Sequence, residues 1–114
     1  MATYSNNVTI KYVGGFSINA SGGSSSSYTV PAGHFAIMGF ARSTGNAGGD
    51  FSPVGTGRVS VGGLVLVESY AGNSYAEGKA FGDIHIPEGK VITVFGDGKS
   101  GSGSASGVVF KNTP

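Results

Sequence analysis

The stretch Gly96-Asp-Gly-Lys-Ser100 ends in the Gly-Lys-Ser of a phosphate-binding loop, whose backbone N–H groups and lysine cradle a nucleotide's phosphates. That motif puts its opening glycine at position 93, which is Thr93, and needs a helix N-terminus after the serine, where this chain continues as Gly and Ser. Nucleotide binding is therefore not expected. A hydrolase needs a nucleophile, a base and a group that orients the base, and the candidate bases are two histidines, His34 and His85. His34 follows a turn glycine and His85 sits between two isoleucines, so both read as surface or subunit-contact residues. Asp50, Asp83 and Asp97 are isolated, with neither metal-ligand spacing nor a calcium-loop pattern. The absence of cysteine removes a thiol nucleophile, a disulfide framework and Cys-based zinc sites. No cofactor and no enzyme activity are expected. Tyr70, Asn73 and Tyr75 surround one turn and combine aromatic faces with an amide, the makings of a weak sugar site. Tyrosines flanking a turn more often form the rim of a core.

Composition narrows the remaining classes. Seven basic and six acidic residues are scattered singly, leaving no stripe to track a phosphate backbone, so nucleic-acid binding is not expected. No apolar run approaches the roughly 18 residues of a membrane helix, no signal peptide opens the chain, and a membrane partner is not expected. Without such a signal, the Asn7-Val-Thr and Asn19-Ala-Ser glycosylation patterns read as chance matches. Charged residues are only 11% of the chain, against about 25% in an average globular protein. A surface finished with Gly, Ser, Thr and Asn is cheap to desolvate and suits a protein packed against something else. The 22 glycines are interleaved with Val, Ile, Phe and Tyr, which indicates an ordered β-protein rather than a low-complexity tract.

The elements are organised around Tyr28 to Arg42. Pro31 and Gly33 make a turn that feeds a strand in which Phe35, Ile37 and Ala41 alternate with Ala36, Met38 and Phe40. Both faces are apolar, which places this strand in a sheet covered on both sides, by a second sheet or by another subunit. The pattern returns in Ile84-His-Ile-Pro-Glu-Gly-Lys-Val-Ile-Thr-Val-Phe-Gly, matching Pro31 to Pro87, Val30 to Ile86, Gly33 to Gly89, Phe35 to Val91 and Met38 to Val94. Duplication and convergence explain this match equally well.

Along the chain, Val8, Ile10 and Tyr12 give a strand at about residues 7–13 that Gly14-Gly15 ends, and Phe16 and Ile18 give a short second one. Ser21 to Ser27 reads as a flexible polar loop. Arg58 to Glu68 is a hairpin turning at Gly62-Gly63, with Val59 and Val61 on one arm and Leu64 and Leu66 on the other. Short alternating steps from Glu77 lead to Ile86, a strand runs from Lys90 to Phe95, and Gly107 to Lys111 closes the chain. Residues 43–57 and 96–107 read as long surface loops, and residues 1–7 as an N-terminal arm. The expectation is one all-β domain over residues 1–114, an antiparallel β-sandwich or jelly roll of about eight short strands without substantial helix. Phe35, Ile37, Met38, Leu64, Leu66, Ile84, Val91 and Val94 are the expected core. Tyr4, Phe51, Val54, Met38 and Phe40 are the candidate interface residues, Phe51 and Val54 serving either as anchors for a partner or as tethers onto the domain's own core.

The segments Tyr28-Thr-Val-Pro-Ala-Gly-His, Ile84-His-Ile-Pro-Glu-Gly-Lys and Ser106-Gly-Val-Val-Phe-Lys-Asn112 together resemble the small all-β virion proteins of tailed bacteriophages, meaning capsid decoration (cement) proteins and β-sandwich modules of tail fibres. The resemblance spans most of the chain and implies a non-enzymatic structural protein, commonly a homotrimer displayed in many copies. A short chain that reaches a strand almost at once, with no room for a fibre's anchor, favours a decoration protein on the outer surface of the phage head, with the major capsid protein as partner. The alternative is a tail-appendage module that binds host-surface carbohydrate.

Overall fold

The computed structural model describes residues 9–45, 56–70, 76–97 and 101–113. The alternating runs pair into eight strands among these residues: β1 (Thr9–Ser21), β2 (Ser24–Thr29), β3 (His34–Gly45), β4 (Thr56–Val61), β5 (Leu64–Tyr70), β6 (Ala76–Ile86), β7 (Val91–Asp97) and β8 (Ser102–Thr113). They form two four-stranded sheets, ordered β1-β8-β3-β6 and β2-β7-β4-β5. Every ladder is antiparallel, and β1 pairs with β8, β2 with β7, β3 with β6 and β4 with β5. That is the pairing of one long hairpin rolled up on itself, and the β3–β8 and β4–β7 ladders close the roll. The fold is an all-β sandwich with the jelly-roll order, and the described residues contain no helix.

Both sheets feed one core. Phe16, Ala36, Met38, Ala41, Ile86, Ala105 and Val109 from the first sheet meet Val59, Val67, Ile92 and Val94 from the second. Towards the β3–β4 end the core runs out of side chains and the backbones close up. A Cβ on Gly57 would overlap the carbonyl oxygens of Ser102 and Thr44, and one on Gly103 would lie 2.5 Å from the carbonyl oxygen of Arg58. Ser43 and Ser69 bridge the sheets there through a buried Oγ–Oγ hydrogen bond of 2.7 Å, and the Ser69 hydroxyl donates to the Ser43 carbonyl at 3.2 Å.

Several expectations are corrected by this arrangement. Gly14-Gly15 does not end the first strand: β1 runs through it with a bulge between Tyr12 and Gly14. The polar stretch at Ser21 is a tight turn at Gly22-Gly23 followed by strand β2, and Ser102 to Gly107 belongs to β8 rather than to a loop. Residues 43–45 lie in β3 and residues 56–57 in β4, so the expected loop is shorter at both ends; residues 46–55 lie outside the described residues. The Gly62-Gly63 turn forms as expected with both φ angles positive, 57° and 85°, but a bulge between Val59 and Ser60 re-phases the partner strand. Val67 therefore points inward, Leu64 is exposed, and Leu66 packs only partly on the core. Of the other expected core residues, Met38 and Val94 are fully buried and Ile84 is partly buried, whereas Phe35 and Ile37 face outward.

Candidate functional site

The two Pro-x-Gly turns matched in the sequence lie side by side. In each, the residue after the glycine donates its N–H to the proline carbonyl, His34 to Pro31 at 3.1 Å and Lys90 to Pro87 at 3.3 Å. Gly33 and Gly89 take positive φ values of 77° and 80°, as the third residue of such a turn requires. The turns are stitched to each other: Val30 donates to the Lys90 carbonyl at 3.0 Å and Gly89 to the Val30 carbonyl at 2.8 Å. The matched pairs Val30 and Ile86, and Met38 and Val94, are all buried. One turn carries the chain from the second sheet to the first and the other carries it back, so the repeat sits at two of the roll's sheet crossings.

Beside these turns lies an open cleft of about 360 Å³ lined by Gly33, His34, Phe35, His85, Pro87, Glu88 and Asn112. Glu88 Oε2 accepts the Gly33 N–H at 2.6 Å, and the Asn112 N–H donates to the Gly33 carbonyl at 2.9 Å. His34 Nδ1 lies 2.8 Å from the Ala32 carbonyl. A carbonyl can only accept, so this nitrogen carries the proton and, in the neutral ring, Nε2 is left as an acceptor. The repeat thus brings together the two histidines that the sequence left apart. Among the described residues no group of His, Asp and Glu is arranged to hold a metal ion.

From the cleft an aromatic ladder crosses the outer face of the first sheet. His85 on β6 stacks on Phe35 of β3 at 5.1 Å, Phe35 stacks on Phe110 of β8 at 5.2 Å, and Tyr12 of β1 meets Phe110 edge-on at 6.0 Å. One step along the sheet, Phe40 packs on Phe81 at 5.2 Å. Ile37 and Val108 pair between these rows, and Ile10 extends the apolar surface on β1. Tyr12 is 59% exposed, Ile10 61% and Phe81 70%, so nothing in the chain's described residues covers this face. Farther along the same sheet the surface turns polar, with Arg42 bound to Glu77 and Lys79 paired with Glu77 at 2.9 Å. The outer row of the second sheet is polar as well, with Arg58 salt-bridged to Glu68 and lying 5.4 Å above the Phe95 ring. Among the described residues the outward aromatic pairs concentrate in one half of one face.

At the rim of that half, Lys11 and Lys111 sit directly opposite each other and Lys111 is also opposite His34. Like charges placed across a ladder oppose folding slightly.

No protein-family model and no curated protein matches the chain.

The proposed interface residues divide. Phe40 lies on the outward aromatic face, half-buried against Phe81. Met38 is corrected: the β3 alternation turns it inward, it is fully buried, and it serves the core rather than a partner. Tyr4, Phe51 and Val54 lie outside the described residues, as do Asn73 and Tyr75 of the weak sugar cluster, while Tyr70 ends strand β5. In the phosphate-loop fragment, Gly96 and Asp97 end strand β7, residues 98–100 lie outside the described residues, and strand β8 starts at Ser102. The contribution of Tyr12, Phe81, Phe110 and His85 to one surface was missed in the sequence. Its signal was there: Tyr12, Phe35 and Phe110 each stand at an outward position of an alternating strand.

Proposed function

We propose that the protein is a non-enzymatic structural protein of a tailed-phage virion, a decoration protein that docks on the outside of the head and clamps neighbouring copies of the major capsid protein. The observation that carries this reading is the uncovered aromatic face of the first sheet. From strand spacing and rise, four strands by about six residues span roughly 20 Å by 20 Å, or about 400 Å². A patch of that size is where exposed apolar surface begins to mark an interaction site. It is also only half of the roughly 800 Å² per partner of a standard stable interface.

One copy therefore binds weakly, and useful affinity needs several patches held together. A homotrimer supplies that by bringing three patches to a repeating lattice, where each later contact forms at high effective concentration. A clamp of this kind prefers the assembled shell to loose subunits and shifts the equilibrium toward the intact particle by that difference in affinity. Charged residues are only 11% of the chain and few ion pairs contribute, so binding is expected to survive high salt.

The test is to add the purified protein to undecorated shells of the phage that encodes it, measuring occupancy and the temperature of genome release. Saturable occupancy with a raised release temperature supports the reading. Indifference to shells together with binding to host cells transfers the protein to the tail-appendage reading. Light scattering that reports only monomer in solution and on detergent-released material removes the trimer.

A further inference from the structure

The cleft between the twin turns does not belong to the aromatic docking surface, although Phe35 and His85 touch both. Its walls are built on rigid parts. Gly33 and Glu88 are tied by a side-chain hydrogen bond, Gly33 and Asn112 by a backbone one, and the two turns by a reciprocal backbone pair. The polar groups facing the space are of mixed kind. Glu88 supplies a carboxylate that uses one oxygen on Gly33, and Asn112 supplies an exposed amide that both donates and accepts. Phe35 and Pro87 supply an apolar floor. The volume, about 360 Å³, falls within the range of small-ligand sites.

Charge selects the ligand class. A phosphate or carboxylate would meet the Glu88 carboxylate, and among the described residues no group of His, Asp and Glu is arranged to hold a metal ion. A neutral ligand with paired hydroxyls and one apolar face satisfies the same walls: its hydroxyls donate to Glu88 and accept from Asn112, and its C–H face rests on Phe35 and Pro87. We propose that this cleft is a binding site for a neutral saccharide, a single pyranose ring or the end of a longer glycan. The site is separate from the Tyr70–Tyr75 turn, and it does not depend on docking to a shell.

The experiment is a titration of the ¹⁵N-labelled full chain with glucose, galactose, mannose and N-acetylglucosamine in turn, followed by amide chemical shifts. At least one sugar is expected to give saturable shifts at Gly33, His34, His85, Glu88 and Asn112. Glu88→Gln keeps an oxygen for the Gly33 N–H but loses the charge, and Asn112→Ala keeps the backbone bond to Gly33 but loses the amide. Each is expected to weaken the sugar about tenfold while leaving the rest of the spectrum in place, the size of one charge-assisted or well-made polar contact. Phe81→Ser, off the cleft, should leave the sugar response unchanged while impairing shell docking. Absence of response to all four sugars, shifts located elsewhere, or undiminished binding by both cleft variants overturns the proposal.

Discussion

Replacing Gly103 with alanine tests the architecture at its tightest point. A Cβ there would lie 2.5 Å from the Arg58 carbonyl oxygen, 2.9 Å from the Phe95 carbonyl oxygen and 3.1 Å from the Phe95 nitrogen. All three neighbours are backbone atoms of the opposite sheet, fixed in the β4–β7 ladder, so no side chain can swing away. Reaching ordinary contact requires the sheets to part locally by about 1 Å. Overpacking a close-fitted interior costs about 1–3 kcal/mol, with a backbone-on-backbone clash belonging at the upper end. Alanine also restricts the unfolded chain, which returns about 0.4–1 kcal/mol. The expected net loss is about 2 kcal/mol, a fall of about 1 M in the urea midpoint for a slope near 2 kcal/mol/M. Gly14→Ala is the control: its Cβ would meet nothing within 4 Å and its φ is not positive, so a gain of about 0.4–1 kcal/mol is expected. A Gly103→Ala midpoint equal to or above that of the unaltered protein would refute the placement of the Ser-Gly stretch as an inner strand.

Other outcomes follow from the same packing. Ser69→Ala strands the buried Ser43 hydroxyl and should cost about 1–3 kcal/mol in urea unfolding, with the double replacement Ser43→Ala/Ser69→Ala closer to the unaltered protein. Met38→Ala, at a fully buried position, should cost about 2–5 kcal/mol, whereas Leu64→Ala, at 70% exposure, should stay within about 0.5 kcal/mol. Tyr12→Ser combined with Phe81→Ser should raise solubility and lower self-association by light scattering, with a stability loss of about 1–3 kcal/mol from the two lost ring pairs.

The fold class was legible because turn chemistry and alternation agree in its best-marked parts. Pro31, Gly33, Pro87 and Gly89 announce two of the sheet crossings, and Gly62-Gly63 announces a hairpin. The Ser-Gly strands were not legible from hydrophobicity. In β8 the inward positions Gly103, Ala105 and Gly107 alternate with Ser102, Ser104 and Ser106, a period of two written in small residues because the sheets leave no room for larger ones. In β3 both faces are apolar, so alternation alone cannot say whether Phe35 and Ile37 or Ala36 and Met38 turn inward. The choice falls to the smaller residues beside Met38 because the inner space is shallow, and the aromatics are left outside. The strand phase of Leu64 and Leu66 was hidden by a bulge, since one extra residue exchanges the two faces. The cleft was beyond sequence reach for a related reason: His34 and His85 are far apart in the chain, and only the pairing of the twin turns makes them neighbours.

The most direct measurement of the docking claim is occupancy of undecorated shells, compared at low and high salt, for the unaltered protein and for the Tyr12→Ser/Phe81→Ser variant. The account predicts near-full occupancy by the unaltered protein at both salt concentrations and a loss of at least about tenfold in apparent affinity for the variant, since each anchor is repeated in every copy. Equal binding by the variant, or binding by the unaltered protein that vanishes in high salt, would contradict a docking surface made of the aromatic sheet face.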